Sequence, residues 1–63
     1  MRRSEVIYEF INVGNSVKVT AFDPETLIEV SIVGPTTATE EHLRATALRK
    51  LEYVLKRQGK EQG

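Results

Sequence analysis

His42 is the one histidine of the chain and the only side chain whose unperturbed pKa falls near neutrality, so any acid–base or nucleophilic chemistry would centre on it. Ser31, Asp23 and several glutamates could in principle serve as its partners. The pattern around it argues otherwise. His42 falls in the first turn of a predicted helix, roughly 100° from that helix's apolar stripe on a wheel of 100° per residue, where it points into water and no cleft organises it. A metal needs three or four convergent ligands, and one histidine without cysteine would have to be joined by carboxylates that show no ligand spacing. Gly14 and Gly34 stand alone rather than in a phosphate-cradling loop. Thr36, Thr37 and Thr39 gather at a helix N-terminus, but capping accounts for two of the three, and Glu40 and Glu41 would repel an anion. The expectation is a protein that is not an enzyme, with no catalytic residue, no metal and no cofactor.

The charged residues carry a second possibility. From Arg44 to Lys60 there are six basic residues against one acidic residue, Glu52. Arg49, Lys50, Lys56 and Arg57 form a candidate basic face on the outer side of the helix, able to neutralise phosphates. Nine basic and nine acidic side chains cancel over the whole chain, so nucleic acid is the alternative partner rather than the first. A solvated face with Glu52→Lys56 and Glu40→Arg44 pairs at i,i+4 explains the same pattern. Tyr53 lies one turn after Arg49, where its ring could pack under that guanidinium.

These residues depend on a small set of elements. Residues 5–13 are rich in β-branched and aromatic types, with Val6, Tyr8 and Phe10 recurring at period two, which predicts a strand. Gly14 and Asn15 supply a two-residue type I′ or II′ turn. Strand two spans 16–22, and pairing Val13 with Ser16 places Phe10 opposite Val19, Tyr8 opposite Ala21 and Asn12 opposite Val17 on one face. Asp23, Pro24, Glu25 and Thr26 read as a second turn, with the aspartate accepting turn hydrogen bonds. Pairing Asp23 with Ile28 then sets Ala21 against Val30 and Val19 against Ile32. That closure asks Leu27 to end a four-residue loop where glycine in the left-handed region would be easiest, at a cost of about 1 kcal/mol or more for leucine. Strand three covers 28–33 and stops at Gly34 and Pro35, which break the ladder.

A helix over about 38–58 follows, with Thr37 and Glu40 at capping-box spacing, Thr39 as the alternative cap, and Gly59 as the residue just past its end. Leu43, Ala47, Leu48, Leu51, Val54 and Leu55 fall within an arc of about 140°. The fold class is therefore α+β: a single domain, 1–63, made of a three-stranded antiparallel β-meander in order 1-2-3 with one C-terminal α-helix packed on one face. Ile7, Ile11, Phe22 and Val33 fall on the other face, a patch that a monomer would leave in water and the candidate interface.

Sixty-three residues bury only about 60% of the surface their unfolded chain exposes, and without cysteine or a metal site a second copy is the natural source of further burial. A homodimer is the expected state. The lack of cysteine fits a reducing, cytoplasmic setting. Met1, Arg2 and Arg3 resemble an export-signal start, but Glu5 and Glu9 interrupt what should be an apolar segment, and no apolar run approaches the roughly 20 residues of a membrane span.

The segments Glu-Phe-Ile-Asn-Val-Gly-Asn-Ser-Val-Lys-Val-Thr-Ala-Phe-Asp-Pro, Glu-Val-Ser-Ile-Val-Gly-Pro and Leu-Arg-Lys-Leu-Glu-Tyr-Val-Leu resemble a family of short bacterial proteins known only as a domain of unknown function. The resemblance covers nearly the whole chain and implies a stand-alone bacterial protein without an established activity. The resemblance implies that members of that family usually carry glycine after the turn threonine, and Leu27 departs from the pattern at the position already singled out for strain.

Overall fold

The computed structural model describes residues 2–62, with side chains to residue 58. After a 3-10 turn at Arg3–Glu5, three strands, β1 (Ile7–Val13), β2 (Ser16–Asp23) and β3 (Ile28–Pro35), form an antiparallel sheet in order β1-β2-β3. One helix, α1 (Glu40–Gln62), follows and contacts β2 and β3. The chain is thus the expected meander capped by a C-terminal helix.

The register follows from where the oily side chains must go. Phe10 pairs with Val19, Tyr8 with Ala21 and Asn12 with Val17, while across the second hairpin Val19 pairs with Ile32 and Ala21 with Val30. A slip of one residue would turn all of these toward water, so the pattern fixes the pairing. The core consists of Val6, Val17, Val19, Ala21, Val30, Leu43, Ala47 and Leu51, gathered between the inner sheet face and the helix stripe.

Both turns close at the expected residues. Gly14 has φ 61 and is followed by Asn15 without a positive φ, the pattern of a type II′ turn. Leu27 has φ 64, so leucine does occupy the left-handed region, and its N–H donates to the Asp23 carbonyl at 2.8 Å. Asp23 anchors that loop. Its side chain is 1% exposed, Oδ1 accepts the Glu25 N–H at 3.1 Å, and Oδ2 accepts the Thr26 hydroxyl at 2.9 Å.

Five boundaries differ from expectation, the smallest being the end of β2, which runs to Asp23 rather than residue 22. The chain reaches β1 through the 3-10 turn, held by the Glu5 N–H on the Arg2 carbonyl and the Val6 N–H on the Arg3 carbonyl, so the strand starts at Ile7 rather than residue 5. Strand β3 continues through Gly34 and Pro35, paired with Val17 and Ser16. It can do so because β3 is an edge strand, where a proline facing outward removes no ladder bond. Gly34 also eases packing: a Cβ there would meet a terminal methyl of Leu43, which would have to shift to make room. The helix starts at Glu40, because the Ala38 N–H bonds the Pro35 carbonyl and keeps Thr37 in a turn. Thr39 is the cap, its Oγ1 accepting the His42 N–H at 3.0 Å. Finally, helical backbone continues through Gly59 to Gln62. Glycine inside a helix costs only about 1 kcal/mol against alanine, which biases the end of a helix without compelling it.

Candidate interaction surface

A single helix can cover one face of a three-stranded sheet, and the opposite face here is left open. Its rows read Ile7, Phe22, Glu29; then Glu9, Thr20, Ser31; then Ile11, Lys18, Val33; then Val13, Ser16, Pro35. Ile7 is 56% exposed, Ile11 43%, Val13 61% and Val33 70%, while Phe22 is half-buried. The structure thus brings Ile7, Ile11, Phe22 and Val33 onto one surface, and adds Val13, which the period-two pattern also places there. The polar members of the middle rows satisfy one another in part, with the Thr20 and Ser31 hydroxyls 3.0 Å apart.

The inner face is covered unevenly. Helix α1 lies over β2 and β3, and the inner side of β1 is roofed by Arg44. Its guanidinium stands 5.5 Å from the Tyr8 ring centroid and 5.6 Å from that of Phe10, and its Nη2 lies 3.8 Å from Glu40. Burial pushes the Tyr8 phenol above its ordinary pKa, partly opposed by the Arg44 charge and reinforced by that of Glu52. Beside this roof a groove of about 210 Å³ runs between Phe10, Asn12 and Val17 of the sheet and Thr36, Ala38, Glu40 and Leu43 of the helix side.

The two edges of the sheet also differ. In an antiparallel ladder alternate residues turn their N–H and C=O toward the partner strand. With Val13 and Ser16 closing a two-residue turn, Ile7, Glu9, Ile11 and Val13 bond to β2, and Tyr8, Phe10 and Asn12 turn their backbone groups outward. By the same alternation Glu29, Ser31, Val33 and Pro35 face outward on β3, in keeping with the Thr36 N–H donating to the Asn15 carbonyl at 3.3 Å. On β3 that edge is guarded: Lys50 Nζ donates to the Ser31 carbonyl at 2.7 Å, and Pro35 has no N–H to offer. On β1 no hydrogen bond reaches the outward groups of Tyr8, Phe10 or Asn12 among the described residues.

The basic residues of the helix do not form one plane. Lys50 reaches down to β3 as described, and Arg57 packs on Tyr53, with its Nη1 3.3 Å from the phenol oxygen and its guanidinium 5.8 Å from the ring centroid. The ring under a guanidinium is therefore paired with Arg57 rather than Arg49, because the residue one turn ahead reaches back over it. Arg49 and Lys56 are exposed. Glu52 pairs with Arg3, at 2.6 Å from its Nη2, instead of with Lys56, since the N-terminal 3-10 turn brings Arg3 to that flank of the helix. His42 is exposed, and its backbone carbonyl accepts the Thr46 hydroxyl at 3.0 Å. No group of three histidine, cysteine, aspartate or glutamate side chains could hold a metal among the described residues. No described helix is long and apolar enough to cross a membrane.

Sequence reasoning paired Arg44 with Glu40, as found, but missed its place over the two rings. Its signal was present: Arg44 is seven residues before Leu51 and so about 20° from it on a wheel of 100° per residue, in the middle of the apolar arc. A charge at that place has to lie along the core, and here it lies over two rings. The chain as a whole belongs to the family DUF6898, a domain of unknown function, which it matches over residues 3–58. No curated protein and no solved structure matches it.

Proposed function

Taking membership of that family as the premise, we propose that the chain is a non-catalytic interaction module that works as a pair of identical subunits and presents its open sheet face to a protein partner. The observation that carries this reading is the uncovered face, where Ile7, Ile11, Val13 and Val33 are exposed together on one side of a sheet whose other side is packed. Scattered apolar residues are ordinary on a surface, but several on neighbouring strands of one face mark a place for contact. The small core adds weight, since a domain of this size gains disproportionately from shared burial.

Nucleic-acid contact through the helix is the less supported reading. Two of its four residues, Lys50 and Arg57, are engaged by Ser31 and Tyr53. Zero net charge leaves no field to draw a polyanion.

Sedimentation equilibrium tests the paired state. The expected result is a mass of two chains at micromolar concentration, and a chain that stays monomeric throughout that range overturns the reading.

A further inference from the structure

We infer that the two copies join edge to edge through β1, antiparallel, with Phe10 on the two-fold axis. The inference rests on the paired reading above and gives it a geometry. Three observations select this edge. The outward backbone groups of Tyr8, Phe10 and Asn12 have no partner among the described residues, whereas the β3 edge carries the Lys50 ammonium and a proline. Lysine and proline are the residues that keep an edge from pairing, and the outward positions of β1 have neither. The inner side of β1 also lies at the margin of the helix's cover, so Tyr8 and Phe10, packed against the core and roofed by Arg44, remain half-buried.

The register is set by the neighbouring turns. With Phe10 on the axis, Phe10 meets its own copy and Tyr8 meets Asn12 of the second copy, twice, so that every outward N–H and C=O of these residues is bonded. Moving the axis to Glu9 would match Asn12 with Val6, whose N–H is already given to the Arg3 carbonyl. Moving it to Ile11 would match Tyr8 with Gly14, inside the turn. The Phe10 register also brings Tyr8 of the second copy beside Asn12, at the mouth of the groove lined by Phe10, Asn12 and Glu40. On the open face, the row across the seam reads Lys18, Ile11 and then Glu9 of the second copy, with opposite charges on either side of Ile11. Ile7 meets Val13 of the second copy, so the exposed apolar residues of both chains become one continuous platform. Backbone pairing of two strands about 20 Å long falls short of the roughly 1,200 Å² buried by stable interfaces. The Tyr8 and Phe10 rings and the groove supply the remainder, which places dissociation in a range that dilution reaches.

The test uses Asn12→Pro, which removes an outward N–H and leaves the β1–β2 ladder intact. It should keep its circular dichroism and raise the dimer dissociation constant by at least about tenfold, since two seam bonds are lost by symmetry. Amide hydrogen exchange on the wild-type chain gives a measurement that no folding defect can confuse. Exchange at Tyr8, Phe10 and Asn12 should slow as protein concentration rises, while Glu29 and Val33 stay unchanged. A wild-type dimer whose concentration-dependent protection falls on β3, or on neither edge, overturns this geometry and leaves the paired reading standing. A chain monomeric at every concentration removes both.

Discussion

The sheet has two hairpin turns, each with one residue in the left-handed region, and they reach it by different routes. At the first, Gly14 adopts φ 61 with no Cβ to obstruct it and nothing within 4 Å of where one would stand, so the turn is made by local chemistry alone. At the second, Leu27 adopts φ 64 with its side chain exposed, against its own preference. What holds it is the buried Asp23, which gathers the Glu25 N–H and the Thr26 hydroxyl while its carbonyl accepts the Leu27 N–H. A turn can thus be specified by the residue that bends or by the residue that grips.

Substitutions can separate these routes. Asp23→Ala should have the largest effect, a loss of about 2–3 kcal/mol in urea denaturation, because it leaves two donors of the loop without their acceptor beside the core. If it costs no more than the next variant, the gripping role is wrong. Gly14→Ala should cost about 1–2 kcal/mol, the penalty for forcing a Cβ into the left-handed region. Leu27→Gly should do the opposite and stabilise by roughly 0.5–1 kcal/mol, relief of strain being partly offset by the greater freedom of glycine in the unfolded chain. A Leu27→Gly variant less stable than wild type would mean that the exposed leucine makes a contact worth more than the strain it bears.

The same contrast explains what could be read from the residues alone. The pairing of all three strands was legible because period-two alternation leaves one register in which Val19, Ala21 and Val30 are buried together. The strain at Leu27 was legible from counting residues between Asp23 and Ile28. The end of β3 was misjudged because Gly34 and Pro35 read as ladder breakers until the strand is known to be an edge and Leu43 is known to press on Gly34. The open face was visible as a set of residues, Ile7, Ile11, Phe22 and Val33. The roles of Arg44 and Lys50 were not, since both depend on how far the helix sits from β1 and how close it sits to β3, distances that no periodicity encodes.

The Lys50 contact with Ser31 bears on how far assembly could proceed. In the proposed pair the β3 margin, with its Ser31 carbonyl taken by Lys50 and no N–H at Pro35, discourages a further neighbour, so growth would stop at two. Were that ammonium neutralised or withdrawn, the Ser31 carbonyl would rejoin the open groups of β3, and the strand pairing proposed for β1 could recur there and extend toward a fibre.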